Sequence, residues 1–432
     1  MKQRSSSVGS WLGSALGLAP LAGAVASAAW MLAFGAQNSG VAAVTMVLVA
    51  VVLLQGAYSA LQSVLWFRYR PFVAPPNPKW PRISVVIPAF NEGPMVERSI
   101  RSVARSDYPA ELLEIIVVDD GSRDDTFFHM RHLRCEHPEL VRLLRFSGNR
   151  GKRAALEAGF EAAIGDIVVT IDSDSEVEPD TLREIATPFL VDPKIGAVAG
   201  RVAVLNRDSL ISRMLEVQYA LAFDFGRAAQ SVYRAVAVCP GALSAFRREV
   251  ILPHLPEWSS QTFLGKPVNH GEDQALTNIV LRLGYDTVYQ RSAVINTLAP
   301  TTYGQLSKMF VRWDRSYIVE GLSFAKFMLT RYRDRHRVLP VIGFVIGNLR
   351  LAMLFFGLAT LPMMMSADLS RVLHASAALL VGAAFSACYY LRLEKSPRFL
   401  YGVVYAAYSF LLLQWILPWA LLTVRDERWG TR

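Results

Sequence analysis

Cysteine is almost missing from this chain. Cys135, Cys239 and Cys388 are the only three in 432 residues, and their spacing suits neither a disulfide framework nor a set of metal ligands. Such usage points to a reducing compartment. Charge is scarce too, 19% of residues against 52% hydrophobic, and the mean hydropathy is +0.28. That is too apolar for an ordinary soluble enzyme and too charged for a chain lying wholly in a membrane. A soluble domain of about 220 residues joined to transmembrane helices satisfies both. Acidic residues are the minority charge, 36 against 45 Lys and Arg, leaving a net charge of +9. Such an excess suits nucleic acid, an anionic bilayer or a phosphorylated substrate. No nucleic-acid fold signature is present and the basic clusters flank apolar segments, so membrane lipid and a nucleotide are the expected partners, with no nucleic acid.

Long apolar runs are what the chain does have. Those at 11–36 and 41–66 each exceed the roughly 20 residues needed to cross a hydrocarbon core. The first is too long for a signal peptide, and a second span follows it at once. Lys2, Arg4, Arg68, Arg70, Lys79 and Arg82 bracket this hairpin while its turn carries no base, which places both ends on the cytoplasmic side. The expected organisation is two transmembrane helices in 1–70, a proline-rich linker at 71–81, a cytoplasmic domain at 82–300, interfacial amphipathic helices at 301–337, about three transmembrane helices in 338–424 and a tail at 425–432. Three spans put the tail outside despite Arg425, Arg428 and Arg432, unless one segment is re-entrant.

Within 82–300 strand patterns at 83–87, 114–118, 167–171 and 197–204 alternate with helix patterns at 95–106, 154–163 and 213–231. This alternation predicts an α/β fold with right-handed βαβ units and a mainly parallel sheet.

Polar groups collect where these strands stop, the place where open α/β sheets bind ligands. Asp119-Asp120-Gly121-Ser122 ends one strand, with an aspartate placed to accept from a base or ribose. The run 168–171 ends in Asp172-Ser173-Asp174-Ser175, whose carboxylates share a face if the strand continues and then suit one hard cation. Taken alone, an Asp-x-Asp pair is more often a solvated turn. Asn149-Arg150-Gly151-Lys152-Arg153 precedes a helix, where a diphosphate is attracted, although a solvated basic turn reads equally well. Glu272 and Asp273 open another helix as caps or as a general base. Arg312-Trp313 joins a cation to an aromatic platform, or simply anchors an interfacial helix.

Taken in order, these motifs with Cys239-Pro240-Gly241 and Trp429-Gly430-Thr431-Arg432 resemble the membrane-embedded, processive, inverting glycosyltransferases of family 2. The likeness is to hyaluronan synthases and the rhizobial nodulation chitooligosaccharide synthase, and more distantly to cellulose synthases. It implies a GT-A-like nucleotide-sugar-binding domain inserted between N- and C-terminal transmembrane helices of a bacterial-type inner membrane. It also implies Mg²⁺ or Mn²⁺ and a UDP-sugar donor. By position it implies Asp119 and Asp120 at the uridine, Lys152 at the diphosphate and Asp174 with Asp172 at the metal. Asp273 is implied as the base with Glu272 beside it, and Arg312 at the departing UDP. Cys239, Pro240, Gly241 and Trp313 are implied around the acceptor.

The implied activity extends a growing β-linked glycan and exports it. N-acetylglucosamine is favoured on the stretches Gly265-Lys266-Pro267 and Gly271-Glu272-Asp273. Two departures bear on it. Pro240 replaces a small polar residue or cysteine, and Met309 stands where the family's Gln-x-x-Arg-Trp has glutamine, with Gln305 as a candidate substitute. The missing glutamine keeps open a non-processive transfer to a lipid-linked acceptor. A nucleotide-regulated transporter is the remote alternative.

Overall fold

The computed structural model describes residues 18–29, 32, 42–367 and 389–426. Half of the expected span at 11–36, most of that at 372–391 and all of the 429–432 motif lie outside them.

Eight strands form the central sheet: β1 (Ile83–Ala89), β2 (Leu113–Asp119), β3 (Val141–Arg145), β4 (Ile167–Ile171), β5 (Ser175–Val177), β6 (Ile195–Val204), β7 (Leu243–Arg247) and β8 (Asp286–Thr297). Their order is β3-β2-β1-β4-β7-β6-β8-β5. β1 pairs in parallel with β2 and β4, β2 with β3, and β6 with β8. The expected parallel sheet is therefore present, but β7 lies antiparallel between β4 and β6, and β5 runs antiparallel to β8.

Every residue of β1 is buried. Its side chains alternate, with Ile83, Val85 and Ile87 entering one apolar cluster and Val86 the other, as a strand covered on both faces requires. Each of these fully buried side chains contributes about 1.5–3 kcal/mol. The covering helices include α2 (Met95–Ala104), α3 (Thr126–Glu136), α4 (Lys152–Ala162) and α5 (Thr181–Val191). Because β1, β2 and β4 run the same way, the segments after Ala89, Asp119 and Ile171 emerge at one edge of the sheet.

Three further pieces frame that edge. α6 (Leu210–Tyr219) passes through a π-helical turn, Ala220–Phe225, into α7 (Gly226–Val232). α8 (Glu272–Arg282) starts beside the sheet, and α9 (Tyr303–Phe327) is a single amphipathic helix. Outside the α/β layer lie α1 (Ala42–Arg68), α10 (Val338–Ala367), α11 (Leu400–Leu412) and α12 (Ile416–Leu422). Within α1, Val49–Arg68 is long and apolar enough to cross a membrane, and the apolar pair α11–α12 is bent by 49°. That pair begins with Arg398 on Glu216 at 2.9 Å and ends with Arg315 of α9 bonded to Thr423 at 2.8 Å.

Candidate functional site

The ends of β1 and β2 are clasped together. Asn91, held at φ 53°, accepts from the Arg123 backbone at 2.9 Å, and its own N–H donates to Ser122 Oγ at 3.0 Å. Asp119 is fully buried, accepts from the Ser122 N–H at 2.9 Å and meets Arg145 Nε at 3.0 Å. Asp120 turns the other way. Its carboxylate accepts from Asn149 Nδ2 (3.0 Å), Arg150 N (2.7 Å) and Gly151 N (2.9 Å), which draws the loop before α4 against the strand end. Burial raises the Asp120 pKa, and the two backbone donors counter it. Gly121 at φ +73° completes the turn, since a Cβ there would lie 2.4 Å from the Gly148 carbonyl carbon. Both aspartates thus stand at the end of β2, with protein partners on each carboxylate.

That loop delivers Lys152 to the centre of the site. Its ammonium lies 2.5 Å from Asp172 Oδ1 and 3.1 Å from Glu272 Oε1. Burial alone would lower the Lys152 pKa, but the carboxylates of Asp172 and Glu272 reverse this and hold it above its usual range. Glu272 follows the converse logic, with desolvation opposing ionisation and the Lys152 charge winning, so its pKa is lowered. Asp273, next in α8, has its pKa raised by burial first and by the Glu272 charge second. Its Oδ2 accepts from the Gly241 N–H at 3.0 Å and its Oδ1 from the Gln274 N–H at 2.8 Å. Gly241 admits this packing because a Cβ there would sit 3.0 Å from Lys152 Nζ and 3.5 Å from Glu272 Oε1.

In α9, Trp313 packs with Phe310, Phe223 and Tyr219 at centroid distances of 5.4, 5.8 and 6.1 Å. Arg312 lies within electrostatic reach of Lys152 and Glu272. Met309 accepts a hydrogen bond from the Tyr219 hydroxyl at 3.5 Å. Gln305 does not substitute for the missing glutamine, because its side-chain oxygen caps α9 by accepting from the backbone of Thr301 (3.1 Å) and Thr302 (3.3 Å). Cys239 has no exposed surface, and burial pushes its thiol up to about 12. It sits beneath the Pro240-Gly241 turn with its N–H on Thr277 Oγ1 at 3.0 Å, so its side chain does not border an acceptor.

β4 stops at Ile171, so Asp172 and Asp174 belong to a turn rather than to one strand face. Asp172 meets Lys152, while Asp174 accepts from Ser175 Oγ (3.0 Å) and Thr297 Oγ1 (3.3 Å). Among the described residues no group of three or more His, Cys, Asp or Glu could enclose a metal. Two half-buried carboxylates at an open edge fit a hard divalent cation that takes its remaining oxygens from a phosphate.

Further residues support the site from behind, among them Trp258, Gln261, Asn278 and Glu320, which sequence reasoning did not single out. Arg153 points away from Lys152 and donates to the Trp258 carbonyl at 2.7 Å and Gln261 Oε1 at 2.8 Å. Trp258 Nε1 in turn donates to the Glu272 carbonyl at 2.9 Å. Glu320 of α9 accepts from Gln261 at 2.6 Å and Asn278 at 3.0 Å, fixing α9 against α8. Gly271 at φ +70° starts α8, and a Cβ there would approach Ser316 Cβ to 2.9 Å. The His270 ring donates to the Val424 carbonyl, and burial with the nearby Arg315 charge lowers its pKa to about 4. Arg153 was legible as a cation at this helix start, but nothing in the spacing showed that it, unlike Lys152, turns to Trp258.

Residues 84–252 match the family model for glycosyl transferase family 2. The chain is 32% identical to an N-acetylglucosaminyltransferase of Azorhizobium caulinodans, over 82% of this chain and 88% of that protein. It is 30% identical to a hyaluronan synthase of Streptococcus pyogenes serotype M1, over 93% of each. In structure it is similar to a mannosyltransferase from Pyrobaculum calidifontis solved with GDP-Man and Mn²⁺. The TM-score there is 0.58 at 23% identity, covering 84% of this chain and 98% of that one. The architecture in common is GT-A-like.

Proposed function

From the premise that the chain belongs to glycosyltransferase family 2, we propose that it moves a sugar from a UDP-sugar to the end of a growing β-linked glycan, with inversion and with export across an inner membrane. The observation that carries this reading is the Lys152–Glu272–Asp273 cluster, a fixed cation next to a buried carboxylate of raised proton affinity.

In the proposed reaction Asp273 takes the proton of the acceptor hydroxyl. The freed oxygen attacks the anomeric carbon from the side opposite the UDP oxygen, and the bond to UDP breaks in the same step. Lys152 and Arg312 stabilise the negative charge that gathers on the departing diphosphate. Asp172 and Asp174 would hold a divalent cation, which supplies further neutralisation of that charge when bound. Gly241 holds Asp273 in its rotamer, and Asp119 and Asp120 shape the nucleoside end.

N-acetylglucosamine is the first choice of sugar, supported by the 32% identical N-acetylglucosaminyltransferase. Membrane residence is supported by the apolar Val49–Arg68 helix. A second reading, single additions to a lipid-linked acceptor, is favoured by Met309, whose contact with Tyr219 replaces a glutamine hydrogen bond. Purified protein with Mn²⁺ and a panel of radiolabelled UDP-sugars decides between the two. Long products support extension, single additions to lipid support the second reading, and no UDP release with any donor refutes both.

A further inference from the structure

The π-helical turn Ala220–Phe225 faces two ways. Tyr219 and Phe223 stack on each other at 4.8 Å and both pack on Trp313. The next two residues turn toward the membrane-spanning helix. Asp224, 2% exposed, accepts from Trp66 Nε1 at 2.9 Å, from Tyr289 OH at 3.0 Å, and from Arg291 through two bonds of 2.6 and 2.8 Å. Phe225 packs on Trp66 and on Tyr389 at 6.2 and 4.8 Å. Trp66 belongs to the last turn of α1, and the Arg291 guanidinium lies over its ring at 5.6 Å.

A π turn inserts a residue into an α-helix and is costly enough to be kept mainly where function needs it. Here it lets adjacent side chains serve opposite partners. Arg227 adds a third link, covering the Phe223 ring at 4.5 Å and donating to the Val238 carbonyl at 3.1 Å, just before Pro240-Gly241.

We propose that this turn couples the end of the membrane helix to the acceptor platform, and that Asp224 is a positioning residue for the acceptor glycan. It sets how firmly the glycan end is held between additions, and so how long the product grows, while leaving donor cleavage to the Lys152 cluster. The proposal rests on Trp313 being the acceptor platform. A buried carboxylate satisfied by four donors is a stiff joint, so loss of one donor is transmitted to Phe223 through the backbone of the turn.

The test uses full-length protein in lipid nanodiscs with UDP-N-acetylglucosamine, or with whichever donor the panel identifies. Product length, the KM for an added oligosaccharide, the donor KM and the initial rate of UDP release are measured for Asp224→Asn and Trp66→Phe. The second variant keeps an aromatic ring at this position but removes the indole N–H that Asp224 accepts from, together with part of the ring's packing, and it leaves the Asp224 carboxylate in place, so it decides the matter if Asp224→Asn fails to fold. We expect products at least threefold shorter and an oligosaccharide KM at least fivefold higher, with donor KM and UDP release within twofold of the parent. Unchanged length and oligosaccharide KM in folded Trp66→Phe overturn the proposal, as does a parallel rise in donor KM. Trp313→Ala separates the two layers. If it leaves the oligosaccharide KM unchanged, the acceptor reading itself is wrong. If it raises that KM while Trp66→Phe does not, only the coupling is wrong.

Discussion

Replacing Asp120 by asparagine tests whether this residue acts as a clasp or as a direct nucleotide contact. Its carboxylate takes three hydrogen bonds at 2.7–3.0 Å, two of them from the backbone N–H groups of Arg150 and Gly151. Hydrogen bonds to a charged acceptor contribute about 1.5–3 kcal/mol each. An amide retains one accepting oxygen and turns an N–H₂ group toward the remaining donors, so one or two of the three bonds are lost. The expected destabilisation is about 2–4 kcal/mol. At about 2–4 °C per kcal/mol for a domain of this size, melting falls by about 5–15 °C. Lys152 follows this loop directly, so UDP affinity should fall by at least tenfold, the equivalent of about 1.4 kcal/mol. Thermal unfolding in detergent and calorimetric titration with UDP measure both. A melting temperature within a degree of the parent refutes the clasp. Reduced UDP affinity with unchanged melting assigns Asp120 to the nucleotide instead.

Three more outcomes are expected. Asp273→Asn should lower kcat by at least about a thousandfold while leaving UDP affinity nearly intact, as loss of a general base does; collapse of UDP binding would remove that role. Burial and Glu272 raise the Asp273 pKa above its ordinary 3.8, so the acid limb of kcat/KM should lie above that value. Glu272→Gln removes a like charge and should shift the limb to lower pH, and a shift upward contradicts the assignment. His270 is held neutral, with its pKa lowered from 6.5 to about 4. The unfolded chain then binds the extra proton first, so stability should fall as pH drops from 6.5 toward 4, and His270→Gln should flatten that stretch of a melting-versus-pH curve.

The strands that position the site were legible because each is covered on both faces and therefore reads as an unbroken apolar run, as Ile83–Ala89 and Ile167–Ile171 do. β7 was not, since Leu-Ser-Ala-Phe-Arg carries no β-branched residue and is buried only by the neighbours that β4 and β6 supply. β3, Val-Arg-Leu-Leu-Arg, carries two arginines at the sheet's edge and is buried only at Val141, so it lacks a core signature. Within the site, the residue types of Lys152, Glu272 and Asp273 were visible from their place at helix starts. Their pairing was not, because Lys152 and Glu272 are brought together by β1, β4 and β7 packing rather than by spacing. The shared face assumed for Asp172 and Asp174 depended on a strand running on to residue 174, three residues beyond where β4 ends. Arg153 was read with Lys152 as a cation at a helix start, and its different role was hidden because its partners, Trp258 and Gln261, lie more than a hundred residues on.

The bent pair α11–α12 has a topological consequence. Arg398, just before it, is tied to Glu216 of α6, and the residues after it reach Arg315 of α9 and His270 beside the Lys152 cluster. The apolar pair is therefore fastened at both ends to the layer that carries the sheet, and its 49° bend lets the chain turn back toward that layer.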